Sequence, residues 1–435
     1  MKPFLLCALL ALAAPLAGAA DAPPQRALTL MDLSDLAASR NPSTRVAWAQ
    51  VRASQAAEAL ARAGYWPVLS GALQVQRSQS IANEGAQIAA QTRYAATLNF
   101  SYLIFDFGAR GGALARAQAD ALAARYTADR ALQDLTLEVE SAYYAVIGTR
   151  AVEEASREAL EQARANEDAA RQRQAVGTAT IADLYQAQAA LASATLDVQR
   201  AEGARVIADG ALAVAAGYSP DSTLTLSPWQ TPDQPQLPVA TAAELMQSAH
   251  DARADLLAAK AREQSAEAAV RVARAGWFPS LGALASAGRT KVAGRGTTQQ
   301  YSAALRLDVP IFSGFSTRAA IDQAQAELDL ASATTDQLRA SVEQAVWVAF
   351  QNVQTARKSI DASRAQRRAA EAAADVIRAR YKNGLATIIE VLTIESTLAQ
   401  ARVAEIQAGI DWATALAALG HDAGGLTIPV SGETP

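Results

Sequence analysis

Tyr94-Ala95-Ala96-Thr97-Leu98-Asn99-Phe100-Ser101-Tyr102-Leu103-Ile104 decides how this chain is read. Tyr94, Ala96, Leu98, Phe100, Tyr102 and Ile104 fall on one side of an extended strand, and Ala95, Thr97, Asn99 and Ser101 on the other. Successive side chains of a strand point to opposite faces, so the stretch predicts a strand with one apolar and one polar face. Just upstream, Leu69, Gly71, Leu73 and Val75 interleave with Ser70, Ala72, Gln74 and Gln76. Far downstream, Tyr301, Ala303, Leu305, Leu307, Val309 and Ile311 interleave with Ser302, Ala304, Arg306 and Asp308. A fourth segment, Leu281 to Ala287, is weaker because Leu284 interrupts it.

Such segments suit membrane β-strands, with lipid on the apolar side and water on the other. A soluble hairpin with one buried face is the better reading of an isolated pair, but aromatic placement favours the membrane. Residues 65–107 and 277–315 hold 12 of the 24 aromatics in 82 of the 435 residues. Tyr65, Trp66, Trp277 and Phe278 stand where strands enter a bilayer, and Phe105, Phe107, Phe312 and Phe315 where they leave it, as interfacial girdles do. Leu98, Phe100, Leu305 and Leu307 are then the expected lipid-facing positions. Closed barrels need at least eight strands, so one chain's four predict a barrel shared between chains.

The strands sit inside a unit that is written twice. Ala61-Arg62-Ala63-Gly64-Tyr65-Trp66-Pro67 returns as Ala273-Arg274-Ala275-Gly276-Trp277-Phe278-Pro279. Ile104-Phe105 returns as Ile311-Phe312, and Gly177-Thr178-Ala179-Thr180-Ile181 as Gly384-Leu385-Ala386-Thr387-Ile388. A period of this length is a duplicated domain-sized unit rather than a solenoid repeat. Each copy reads as an Ala-rich helical stretch, two strands, a very long helix, a glycine turn and a shorter helix. Gly108 to Val176 and Gly314 to Asn383 contain no proline and almost no internal glycine. At 1.5 Å per residue each predicts a helix about 100 Å long, packed coiled-coil fashion through small Ala side chains. Gly217 to Pro238 holds five of the fifteen prolines and reads as the connector. The predicted organisation is a leader over 1–20, a first repeat over 21–219, a connector over 220–240, a second repeat over 241–420 and a tail over 421–435.

The leader has a positive start at Lys2, an apolar core from Phe4 to Leu16 and small residues at Ala17-Gly18-Ala19, the pattern of a secretory signal cut after Ala19 or Ala20. Cys7, the only cysteine, lies within it, and Phe4-Leu5-Leu6 before it lacks the small residues of a lipoprotein site. The mature chain then has no thiol for a disulfide, a metal or nucleophilic catalysis. Apolar residues make up 51% of the chain, but 108 of them are Ala, and no later stretch is apolar enough for a membrane helix. The net charge of −4 gives no basis for nucleic-acid binding.

With these features in this order, the chain resembles the outer-membrane efflux protein family, the TolC-like exit ducts of Gram-negative bacteria. The resemblance covers the whole mature chain. It is carried by the duplication, by Tyr102-Leu103-Ile104-Phe105-Asp106-Phe107-Gly108 and Val309-Pro310-Ile311-Phe312-Ser313-Gly314, and by the two glycine turns. It implies an α+β fold: a long α-helical coiled-coil barrel in the periplasm and a β-barrel in the outer membrane, four strands per chain and twelve per trimer. It implies a homotrimeric channel serving a tripartite efflux pump or a type I secretion system, docked to a periplasmic adaptor and an inner-membrane transporter. No cofactor is implied, and the cargo is left open.

Physically, the two glycine turns read as hairpin turns between antiparallel helices. Gly177 and Gly384 suit a left-handed C-terminal cap, while Thr178, Thr180 and Thr387 offer oxygens to the next helix start. In the family such turns form the periplasmic tip, which makes Gly177, Thr178, Leu184, Gly384, Leu385, Thr387 and Leu392 adaptor-docking candidates. Asp183 and Glu390 each follow their glycine by six residues. The resemblance makes them, with Tyr381, the constriction residues, with the Tyr381 hydroxyl expected to meet Asp183. Ala386 and Thr393 depart from the family pattern, replacing an arginine and a second acid. As ordinary helix acids, Asp183 and Glu390 would need no gate.

No catalytic constellation is present. Asp106-Phe107-Gly108 spells a kinase motif without its companions, and it sits where a strand turns into a helix. His250 and His421 lie in different repeats without metal-ligand spacing, and Arg364, Arg367 and Arg368 read as a solvated helix face. The alternative function is a periplasmic adaptor-like coiled-coil protein without a barrel. An adaptor usually carries one helical hairpin, whereas this chain carries two.

Overall fold

The structure, a computed structural model of the chain, describes residues 26–79, 90–229 and 240–425. The leader, residues 230–239 of the connector and residues 426–435 of the tail lie outside the described residues. The first repeat runs α1 Leu30–Arg40, α2 Pro42–Ala63, β1 Val68–Ser78, β2 Gln91–Phe105, α3 Ala109–Ala175 and α4 Ile181–Ala215. The second runs α5 Ala242–Ala252, α6 Ala254–Ala275, β3 Ser280–Val292, β4 Thr297–Asp308, α7 Ser316–Lys382 and α8 Ile388–Asp422. Corresponding helices match residue for residue: 11, 22, 67 and 35 residues in each copy.

Two compact units are woven from both repeats. One comprises Met1–Asn41, Glu138–Thr231 and Ser363–Ile410; the other comprises Pro42–Leu137, Pro232–Ala362 and Asp411–Pro435. The first holds the two glycine turns, and the second holds all four strands.

The long helices follow from the absence of breakers, and their starts are built by side chains. The Asp106 carboxylate accepts from Gly108 N at 3.3 Å and Arg110 N at 2.8 Å, closing the first turn of α3. Phe107 and Gly108 carry φ of 50° and 93° to make the corner. In the second copy Ser313 Oγ accepts from Thr317 N at 3.4 Å, with Gly314 and Phe315 at 61° and 65°. The kinase-like tripeptide is thus a helix cap. Close helix approach uses glycine: a Cβ on Gly112 would stand 2.8 Å from Val272 Cγ2, and one on Gly148 2.9 Å from Ile410 Cγ1.

Each Ala-rich stretch before the strands, expected as one helix, is two. Pro42 forces Asn41 out of helical geometry, to φ −62° and ψ 131°. Arg253 takes nearly the same conformation, φ −67° and ψ 121°, without a proline. Its buried guanidinium donates to both carboxylate oxygens of Asp255, at 3.0 and 2.7 Å, and to the Asp422 carbonyl at 3.4 Å.

The strands form one antiparallel sheet in the order β1-β2-β3-β4, so β2 and β3 join the repeats. The weak segment is a full strand, β3, of 13 residues. Alternation in β4 ends earlier than the sequence pattern, at Asp308 rather than Ile311. Pro310 has no N–H for a ladder, so Val309 and Ile311 belong to the turn into α7.

Candidate functional site

The register settles which side chains share a face. Gly71 pairs with Leu98, Leu98 with Ala287, and Ala287 with Tyr301. The neighbouring row runs Leu69, Phe100, Ala285, Ala303, and the next Tyr102, Ala283, Leu305. All four apolar alternations therefore lie on the same side of the sheet, and Leu98, Phe100, Leu305 and Leu307 are exposed there. The opposite face carries Ser70, Asn99, Ser286 and Ser302, the last two hydrogen-bonded at 2.8 Å. Leu284, which obscured the pattern of β3, sits on this polar face opposite Ser101 and Ala304.

Aromatic residues collect where the sheet meets the helices. Phe105 and Phe107 stand 4.7 Å apart edge-on, Phe107 stacks on Phe278 at 5.1 Å, and Phe312 meets Phe315 at 5.5 Å. Trp66, Trp277, Phe278 and Phe312 are exposed beside them. An exposed apolar face with such a rim has no place in water, where contiguous apolar patches of this size mark a membrane or a partner.

The two tip turns are built alike. Gly177 and Gly384 have φ of 79° and 73°. Thr178 N donates to Arg173 O, and Leu385 N to Arg380 O, both at 2.8 Å, the six-residue closure that ends a helix on a left-handed residue. The next helix opens with a reciprocal cap. Asp183 N donates to Thr180 Oγ1 at 3.2 Å while the Asp183 carboxylate accepts from Thr180 N at 2.8 Å. Glu390 N donates to Thr387 Oγ1 at 3.3 Å, and the Glu390 carboxylate accepts from Thr387 N at 2.6 Å. The backbone N–H and then the hydroxyl of Thr387 hold the Glu390 carboxyl below its ordinary value. Thr180 and Thr387 thus serve the following helices, whereas Thr178 Oγ1 turns back and donates to Arg173 O at 3.1 Å.

Among the docking candidates Gly177, Thr178, Gly384, Leu385 and Thr387 are exposed. Leu184 is buried, and Leu392 packs against the buried cluster of Tyr381, Ile388 and Val391, so these two support the turns from within. Exposed apolar side chains beside the turns escaped the sequence reading: Val176, Ile181, Tyr185 and Ile389. Their signal was an apolar residue next to a cap glycine or on a first helical turn, where no buried face is needed.

Tyr381 and Asp183 are each engaged elsewhere than with one another. The Arg173 guanidinium lies 4.0 Å from the centre of the Tyr381 ring, and donates to Tyr381 O at 2.6 Å and Lys382 O at 3.4 Å. A cation at the last carbonyls of α7 satisfies acceptors the helix leaves open and opposes its negative dipole end. Arg173, in the opposite repeat, was not singled out from sequence, because nothing local marks an arginine in an Arg-rich helix.

The family model for outer membrane efflux proteins matches residues 33–218 and 245–425, one segment per repeat. The chain is 32% identical over 379 residues to Protein CyaE of Bordetella pertussis, covering 86% of this chain and 79% of that protein. It is 26% identical over 382 residues to outer membrane efflux protein BepC of Brucella suis, covering 87% and 81%. A membrane protein of Pseudomonas aeruginosa of solved structure superposes with a TM-score of 0.81 at 25% identity, covering 91% of this chain and 93% of the other. The outer-membrane channel OprN shares the fold, with a TM-score of 0.81 at 24% identity, covering 91% and 90%.

Proposed function

This chain belongs to the outer membrane efflux protein family, and from that premise we propose that it acts as a homotrimer, each copy giving four strands to one twelve-stranded barrel. It is an outer-membrane channel that extends into the periplasm, which decides against the adaptor-like alternative. The observation that carries the trimer is the sheet itself. Its four apolar faces align on one side, while β1 and β4 present unpaired edges among the described residues. Open edges within a bilayer leave N–H and C=O groups without partners, and closure by neighbouring copies satisfies them.

The periplasmic tip is the docking surface for a periplasmic adaptor, which couples the duct to an inner-membrane transporter. Gly177, Thr178, Gly384, Leu385 and Thr387 supply its backbone, and the exposed Val176, Ile181, Tyr185 and Ile389 supply apolar area for a partner. Leu184 and Leu392 hold the turns from beneath. Asp183, Glu390 and Tyr381 mark the constriction: threefold symmetry sets three copies of each acid around the axis, favouring cations by Coulomb attraction. The family works in channels, and the chain's role is passive conduction rather than catalysis.

Two measurements test this. The mass of the detergent-solubilised protein is expected at three times that of the mature chain, and a monomer with full β content refutes the shared barrel. In planar bilayers, Asp183→Asn with Glu390→Gln should shift the reversal potential in a salt gradient toward lower cation selectivity. An unchanged potential removes the acids from the pore.

A further inference from the structure

The apolar face changes character toward the β1–β2 and β3–β4 turns. In the adjacent rows Gly71–Leu98–Ala287–Tyr301 and Leu73–Ala96–Arg289–Gln299, three positions are Gly or Ala. Between the larger Leu73, Leu98 and Tyr301 they leave a hollow of about 450 Å³ over Gly71, Ala96 and Ala287. It crosses all four strands, about 14 Å at the usual spacing.

Cations border this hollow on the side of the turns. Arg289 lines it, Lys291 stands one row further opposite Tyr94, and Arg77 one row beyond that opposite Thr92. All three are exposed, and none has an acidic partner among the described residues. The acid nearest in the ladder, Asp308, lies at the far end of β4 and is paired with Arg306 at 2.9 Å. A cation on a lipid-facing strand is costly at the bilayer centre and tolerated near the interface, where long side chains reach the headgroups. Exposed cations with no acidic partner among the described residues, set above an apolar hollow, call for a ligand with an acyl chain below and an anion above.

We propose that this face binds a phosphorylated glycolipid of the outer leaflet, an acyl chain seated over Gly71, Ala96 and Ala287 and its phosphates against Arg77, Arg289 and Lys291. The proposal rests on the outer-membrane barrel described above. With the long helices on the periplasmic side, the strand turns lie at the outer surface, so the outer leaflet supplies the lipid. Charge complementarity selects an anionic headgroup over a zwitterionic one, and the hollow selects a lipid over free phosphate.

Native mass spectrometry of the full protein in detergent tests this, with bisphosphorylated lipid A, dephosphorylated lipid A and inorganic phosphate as probes. The unsubstituted protein should retain bisphosphorylated lipid A in preference to the other two. Equal retention of the dephosphorylated lipid overturns the proposal without any variant. Arg77→Gln, Arg289→Gln and Lys291→Gln together should weaken binding about a hundredfold, each basic residue near an anionic surface being worth roughly a factor of five. Ala287→Phe, which fills the hollow and keeps the charges, should also lose the lipid, while Arg306→Gln on the polar face should retain it. Undiminished binding by the triple variant, or equal loss in Arg306→Gln, overturns the site. Oligomeric state is read from the same spectra. Assembled trimers without charge-dependent lipid refute the site alone, and failure of the unsubstituted chain to assemble refutes the barrel.

Discussion

Leu98 occupies the middle of β2, seven residues from either end of Gln91–Phe105. At about 3.4 Å per residue it lies about 24 Å along the strand from each end, or about 17 Å in height for a strand tilted near 45°. The apolar band of an outer-membrane barrel is about 25 Å tall, so Leu98 stands well inside it, where Arg costs up to roughly 2–4 kcal/mol, whereas Arg289, two residues nearer the strand turns, reaches the headgroups with its long side chain. Three copies raise this to about 6–12 kcal/mol per trimer, comparable to the whole stability of many domains. Leu305 lies only three residues from the end of β4, so the same substitution there should cost about 0–1 kcal/mol per chain. Asn99, next to Leu98 but on the polar face, should accept Arg with little change. The assay is urea-driven unfolding from lipid vesicles, paired with the yield of assembled trimer in outer-membrane fractions. The expected order of damage is Leu98→Arg, then Leu305→Arg, then Asn99→Arg. Equal damage at Leu98 and Asn99 would show that the alternation does not mark a lipid boundary.

Three further outcomes follow from the helical part. A Cβ at Gly177 or Gly384 meets nothing within 4 Å, so Ala at either position should cost only backbone strain, about 1–2 kcal/mol, with no change in packing; thermal unfolding checks the size, and neutrality would mean the turn relaxes. Gly148→Ala drives a Cβ to 2.9 Å from Ile410 Cγ1 and should cost about 1–3 kcal/mol, and Ile410→Ala in the same chain should recover part of it; additive losses in a double-mutant cycle would deny the contact. Glu390 has a lowered folded pKa, so the stability it contributes is present above its unfolded value near about 4.3 and is lost as pH falls through the lower folded value. Amide exchange at the start of α8 should therefore accelerate only in acid, and Thr387→Ala should remove that pH dependence.

Much of this fold was legible because its punctuation is chemical. Gly108, Val176, Gly314 and Asn383 bounded stretches free of breakers, and α3 and α7 end within two residues of those marks. The repeated glycine turns carried their own caps, since Thr180-x-x-Asp183 and Thr387-x-x-Glu390 are local signals. What could not be read depends on distant partners. Arg253 breaks its helix while held by Asp422, 169 residues away. β3 hides its face behind Ala, Gly and Leu284, and only pairing with β2 and β4 assigns it. At the tip, the family resemblance named Tyr381 and Asp183 but not the direction of either side chain; Arg173 stacks on the first and Thr180 holds the second.

The equal helix lengths in the two copies, against their unequal strands, reflect what each part must satisfy. Helices of 67 and 35 residues recur without a single insertion, whereas β1 and β3 have 11 and 13 residues and β2 and β4 have 15 and 12. In the proposed trimer six hairpins line one tunnel, and each must deliver its turn to the same level for a tip to close. An extra residue in one helix moves its tip by 1.5 Å and rotates every later side chain by about 100°, which misplaces the whole packing stripe. A strand can lengthen at its free turn at no such cost, because residues added beyond the bilayer change neither register nor face within it. The two tips are equal in length but not in chemistry. One supplies Arg173, and the other supplies Tyr381 and the open carbonyls of α7 that Arg173 engages. Arg380 holds the matching place in the second repeat but donates to Leu385 O of its own turn at 3.1 Å, so the same residue type closes its own turn in one copy and reaches across to the other helix end in the other copy.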